Sequence, residues 1–138
     1  MIATAVVEVR TQGNGQVLDI THLVVDEVSQ SGIRGGIVTV FCPGATGAVT
    51  TIEFEEGAVR DFNRLFDEIA APDRAYAHNT LAGDRNGHSH VRAALLGPSL
   101  TVPFVDGKLI LGMWQEIVFV DFDNRPRQRS IVLQIMGE

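Results

Sequence analysis

Leu100-Thr101-Val102-Pro103-Phe104-Val105-Asp106-Gly107-Lys108-Leu109-Ile110-Leu111 carries the strongest hairpin signal in the sequence. Two apolar runs flank Asp-Gly, a pair that accommodates the positive φ angles of a type I′ turn, so the chain should double back here as antiparallel strands. Toward the C-terminus, residues 116–122 and 130–136 read as a second pair of strands joined by Asp123-Asn124-Arg125-Pro126. Toward the N-terminus, Ile37-Val38-Thr39-Val40-Phe41-Cys42 is an almost continuous apolar run of strand length, expected to be central and buried on both faces. Pro43-Gly44-Ala45-Thr46-Gly47 breaks it, and residues 48–54 resume β character. Residues 3–10, rich in β-branched side chains, open the chain as a strand closed by Gly13-Asn14-Gly15.

Helical patterning lies between these runs. Ile20, Leu23, Val24 and Val28 fall at helical spacing, with Asp19 placed to accept first-turn amides and Gly32 suited to a left-handed exit. Glu55 and Glu56 stand where negative charge favours a helix start, and Val59, Phe62, Leu65, Phe66 and Ile69 form the stripe of a second helix that Pro72 ends and that should lie across the sheet. Residues 91–96 read as a short helix starting near Asn86 or His88, with a strand as the alternative. Seven to nine strands with two or three helices make an α+β domain on a mainly antiparallel sheet or sandwich.

The chain has 138 residues, 17 acidic against 11 basic, and a net charge of −6. That length fits one domain, which buries about 68% of the unfolded chain's surface. The acidic balance opposes binding to nucleic acid or anionic membranes, which needs a sustained basic face. A single cysteine, Cys42, forms no internal disulfide, no stretch reaches the roughly 20 apolar residues of a membrane span, and the N-terminus lacks a signal pattern, so a cytoplasmic location is expected.

Residues 73–90 lack apolar periodicity but hold His78, His88 and His90, which makes this segment the first place to look for chemistry. Three imidazoles plus water would form an open zinc site. In a regular helix positions two apart diverge by about 200°, so a shared ion requires His88 to precede any helix. The alternative is a set of solvated loop histidines. Residues 43–47 could present amides and the Thr46 hydroxyl to an anion, or serve as a strand bend with nothing bound. Glu53 is an exposed-face acid or, if turned inward, a general base or a carboxylate orienting a histidine. Arg125, Arg127 and Arg129 alternate, so one face could bind phosphate; pairing with acids is the commoner arrangement. Asp61 reads as a helix-start or salt-bridge acid, Trp114 and Cys42 as core, and His22 as solvent-exposed.

The ordered series Tyr76-Ala77-His78-Asn79, Asn86-Gly87-His88-Ser89-His90, Leu95-Leu96-Gly97-Pro98-Ser99-Leu100, Pro103-Phe104-Val105-Asp106-Gly107, Leu111-Gly112-Met113-Trp114-Gln115 and Arg127-Gln128-Arg129 resembles the YjbQ-like family, also called the secondary thiamine-phosphate synthase family. The likeness spans residues 33–137, roughly three quarters of the chain, and several motifs in fixed order are far more specific than any one alone. It implies one domain over residues 1–138, a mixed, mainly antiparallel β-sandwich with two or three flanking helices, assembled as a homotrimer. It also implies His78, His88 and His90 as ligands of a divalent metal ion, zinc being the preference of imidazole. Gly44, Thr46, Asn86, Gln115, Arg127 and Arg129 are then the expected substrate-binding positions and Glu53 the catalytic one. One departure stands out. The family usually has His-Thr-Thr-Ala after the central strand, whereas this chain has Gly44-Ala45-Thr46-Gly47 and keeps only Thr46. Gly44 has no side chain to ligate a metal or move a proton.

The expected activity is thus metal-dependent joining of pyrimidine and thiazole phosphate moieties with loss of pyrophosphate, an arginine clamping the departing anion. Two alternatives remain. One is a metal-dependent hydrolase of a small phosphorylated or acylated metabolite. The other is a trimeric protein that binds such a metabolite without turning it over.

Overall fold

The computed structural model describes all residues 1–138. The strands are β1 (Ile2–Thr11), β2 (Gln16–Asp19), β3 (Gly36–Phe41), β4 (Gly47–Glu53), β5 (Ser99–Val105), β6 (Lys108–Leu109), β7 (Gln115–Asp121) and β8 (Arg127–Gly137). The helices are α1 (Thr21–Ser31), α2 (Glu56–Ile69), α3 (Ala77–Leu81) and α4 (Gly87–Leu96). A five-stranded sheet, in the order β1-β8-β3-β5-β6, faces a three-stranded sheet, β2-β7-β4. Every strand pair is antiparallel, so the expected sandwich is present without a parallel component.

The Asp-Gly reading holds. Asp106 and Gly107 take φ 52° and 74°, and Val105 pairs with Lys108 across them. Gly32 ends α1 at φ 74°, as expected, but the start is shifted: Asp19 closes β2, and its carboxylate accepts from the Thr21 amide (3.0 Å) and hydroxyl (2.7 Å) while Ile20 takes the cap position. Glu55 caps α2 by accepting from the amides of Gly57 and Ala58, and α2 stops at Ile69, short of Pro72.

Apolar alternation builds two cores. Between the sheets Val38, Val40, Phe104, Ile131, Leu133 and Ile135 meet Val49, Ile117 and Phe119, with α1 adding Val24 and Val28. On the other side of the small sheet Ala48, Val118 and Val120 pack on Phe66, Ala93 and Phe122, which fixes α2 and α4. Each such large side chain contributes about 1.5–3 kcal/mol by leaving water. Arg92 of α4 is buried here, donating to the Ala70 carbonyl and to Asp67 and so strapping α4 to the end of α2.

Two burial expectations are corrected. The central strand is covered on one face only: Val38 and Val40 point into the core, while Ile37 and Phe41 remain exposed on the outer face of the large sheet. Trp114 is not core but lies exposed in the connection before β7, where no regular alternation fixed its direction. No helix is long and apolar enough to cross a membrane.

Candidate functional site

The polar residues gather where β7 ends and the chain crosses to β8. Asp121 and Asp123 are fully buried, a costly state for carboxylates unless each oxygen is engaged. Asp121 Oδ2 accepts from Arg129 Nε (2.8 Å) and the Thr11 hydroxyl (2.6 Å), and its Oδ1 from Arg129 Nη2 (2.9 Å) and the Asp123 amide (3.0 Å). Asp123 Oδ1 accepts from Asn86 Nδ2 and the Asn124 amide; Oδ2 accepts from Arg127 Nε and the Thr46 hydroxyl. Burial works to raise the Asp123 pKa, but the hydrogen bonds from Asn124, Asn86 and Arg127 outweigh it and hold the carboxyl below its ordinary value. The hydrogen bonding of Asp121 raises the Arg129 pKa, against the burial that would lower it.

This clamp leaves one part of Arg129 free. With Nε and Nη2 occupied, Nη1 makes no hydrogen bond in the chain and is not sealed from solvent. It lies 3.5 Å from where a β-carbon on Gly44 would stand, and Gly44 itself takes φ +132°, a conformation that a side chain would strain. The loop over residues 44–47 therefore rests on a fixed guanidinium. Against this loop lies a cavity of about 240 Å³ lined by Gly44, Ala45, Gly47, His90, Ala93, Ala94 and Pro98; Arg129 does not line it but approaches its edge at Gly44.

His78 and His90 meet at this place, ring centroids 4.5 Å apart and edge to face. Nε2 of His78 lies 3.0 Å from Asp84 Oδ1 and 2.9 Å from Asn86 Oδ1, two acceptors, so this nitrogen carries the proton. Nδ1 of His90 donates to the Ala45 carbonyl at 3.0 Å, which leaves Nε2 as the atom available to a ligand. His78 is tied through Asn86 to Asp123, and Asp123 through Thr46 to Arg129.

The expectation that His78, His88 and His90 converge on one ion is not met. His88 does not precede the helix; it lies in the first turn of α4, so its ring diverges from that of His90. It is buried, its Nδ1 has no hydrogen-bond partner, and desolvation together with the Arg92 charge lowers its pKa. No three His, Cys, Asp or Glu side chains are gathered closely enough to hold a metal ion. The three-imidazole set does not fit a bound zinc in this arrangement.

Two other expected site residues lie elsewhere. Glu53 and Gln115 pair across β4 and β7 at the opposite end of the small sheet, six residues and about 20 Å along the strand from Gly47. Glu53 is exposed, and the Gln115 amide is spent on Thr51 and Gly112. Gly44, Thr46, Asn86, His78, His90, Arg127 and Arg129 are all brought to one end. Sequence reasoning missed Asp121 and Asp123. Their signal was an acid ending an apolar strand, opposite the alternating arginines. Asp61 pairs with Arg64 in the open, Cys42 is buried with its thiol pKa pushed up by burial, and His22 is exposed.

Comparison with known proteins agrees with this fold along its whole length. Residues 5–138 match the family model described as UPF0047 protein YjbQ-like. A UPF0047 protein of Methanothermobacter thermautotrophicus is 36% identical over 137 residues, covering 99% of this chain and 94% of its own. The Bacillus subtilis UPF0047 protein YugU is 33% identical, covering 94% and 96%. Among solved structures, a hypothetical protein from Aeropyrum pernix K1 superposes with TM-score 0.91 at 34% identity, covering 99% of each chain. A YbjQ-like protein of unknown function from Sulfolobus solfataricus P2 gives 0.90 at 31%, covering 100% of each. By family match and by fold, this chain belongs to the YjbQ-like UPF0047 family.

Proposed function

We propose that the chain is a small-molecule enzyme that holds a phosphorylated substrate against the loop of residues 44–47, with Arg129 as the anion clamp and His90 as the group that moves a proton. The observation that carries this reading is the guanidinium of Arg129, fixed by two bonds to buried Asp121 while Nη1 stays unengaged beside Gly44. Such a group stabilises developing negative charge without reorganising, which is the main lever for reactions that expel phosphate or pyrophosphate. Gly44 leaves backbone and space where a side chain would otherwise stand. His90 Nε2, steadied by the Ala45 carbonyl and by His78, faces that space as acid or base.

The reaction implied by the family resemblance suits this arrangement. The thiazole nitrogen attacks the pyrimidine methylene, the C–N bond forms as the C–O bond breaks, and the electron pair leaves on the pyrophosphate oxygen, which takes a proton from His90 Nε2; solvent returns that proton to His90 after release. Glu53 takes no part in this scheme because it stands at the other end of β4. A homotrimer, also implied by the resemblance, would cover the outward Ile2, Val6, Ile37, Phe41 and Met136 of the large sheet, which are exposed in the single chain. Zinc bound by His78, His88 and His90 would require His88 to leave the packing of α4.

The test incubates purified protein with the pyrimidine diphosphate and thiazole phosphate, with and without chelator, and measures thiamine phosphate. Product is expected, falling about 10²-fold in Arg129→Lys, which keeps charge but loses the fork. No product where a proven synthase forms it overturns the transferase reading. Saturable binding without conversion would move the assignment to the binding-protein reading, which Gly44 in place of the usual histidine favours.

A further inference from the structure

The family likeness implies a metal ion held by imidazoles, and this chain withdraws most of the donors. Residue 44, where the family usually has a histidine, is Gly44 and offers no side chain. His88 is buried in the first turn of α4, its Nδ1 closed off without a partner and its Nε2 3.5 Å from the Ser89 hydroxyl. The ring of His78 directs Nε2 at Asp84 Oδ1 and Asn86 Oδ1, so a proton and not a lone pair stands there. The buried acids cannot stand in, because both oxygens of Asp121 and of Asp123 already accept from donors of the chain. His78 Nδ1 and His90 Nε2 are the ring nitrogens left over, and no third His, Cys, Asp or Glu is gathered with them. A zinc site takes at least three protein ligands, so two fall short.

We infer that this chain works without a metal at its histidines and keeps His90 Nε2 as a bare nitrogen on the cleft. The Ala45 carbonyl, 3.0 Å from Nδ1, fixes the proton of His90 on that side of the ring, whereas Asp84 and Asn86 fix the proton of His78 on Nε2. The two rings, 4.5 Å apart and edge to face, are thus held in opposite tautomers. A cation on His90 Nε2 would occupy the lone pair that exchanges a proton; left bare, that nitrogen titrates as an ordinary imidazole and serves as acid or base directly. The donor inventory is independent of any reaction. Only the use of the bare nitrogen to move a proton rests on the function proposed above.

The test dialyses tag-free, ¹⁵N-labelled protein against zinc chloride and then against zinc-free buffer. Bound zinc is measured by elemental analysis, and the ring nitrogens of each histidine by NMR at about pH 8, where an ordinary imidazole is neutral. His78→Gln and His90→Gln assign the rings. Far less than one zinc per chain is expected, with the proton of His90 on Nδ1, that of His78 on Nε2, and neither ring altered by the zinc step. One zinc per chain that disappears in His90→Gln would overturn the inference. So would a proton on Nε2 of His90, which would mean that the Ala45 carbonyl does not hold the ring. Both measurements read the resting protein, so a failure to form thiamine phosphate would remove the transferase reading and leave this inference standing.

Discussion

The two ends of β4 and β7 handle acidic residues in opposite ways. At the Gln115 end Glu53 stands in water and needs nothing from the fold. At the Asp121 end two carboxylates are completely buried, and the chain supplies each with hydrogen-bond donors from several elements. The difference shows where rigidity was required. Water would solvate a lone acid at lower cost, but it would not hold Arg129 and Thr46 in one orientation beside the loop of residues 44–47.

The sharpest way to break this contrast is Asp121→Asn set against Glu53→Gln. The first keeps size but removes the nearer charge that satisfies Arg129, leaving a nearly buried guanidinium with only the Asp123 carboxylate at 3.8 Å, and is expected to cost about 3 kcal/mol in urea unfolding. The second should stay within about 0.5 kcal/mol. Equal small losses would mean that solvent, not Asp121, balances the arginine.

A smaller effect belongs to the hairpin turn, which uses backbone conformation where the Asp121 end uses charge. Gly107→Ala is expected to lower stability by about 1 kcal/mol, because alanine is strained at φ 74°. The Arg34 guanidinium, 3.2 Å from the added methyl, is a flexible end that can move aside. A melting temperature unchanged by this substitution would show that the turn relaxes without strain.

These regions also differ in how far the sequence disclosed them. Asp106-Gly107 was legible because its backbone requirement is local, and α2 because five apolar residues repeat at one period over fourteen positions. Five-residue α3 is too short for a period to emerge, so residues 73–90 read as loop. The site was half legible. Arg127 and Arg129 stood out by alternation, but of their partners Asp121 ends a strand of the other sheet and Asp123 lies two residues past it, a pairing that only tertiary packing creates. His88-Ser89-His90 left open whether a helix starts before or after the pair. That boundary decides whether the rings converge, and it is set by the packing of α4 on the small sheet.

The least of the expected effects comes from His88 and separates it from the histidines of the cleft. Burial against Tyr76, with Arg92 nearby, holds its imidazole neutral more strongly than the unfolded chain does, although Asp123 pulls the other way. Between the lowered folded value and the ordinary 6.5, the unfolded chain binds more protons than the folded one, so stability rises with pH across that interval. The contribution is fully present above about pH 6.5, is lost as the pH falls below it, and levels off once the folded value is passed. Urea unfolding between pH 5 and pH 7 should show this slope in the native chain and in His22→Gln, a substitution on the exposed side of α1, and a reduced slope in His88→Gln. The level of stability in His88→Gln is a packing effect; the slope reports the proton. A slope preserved in His88→Gln would assign the titration to another group and remove the distinction between a structural His88 and the paired His78 and His90.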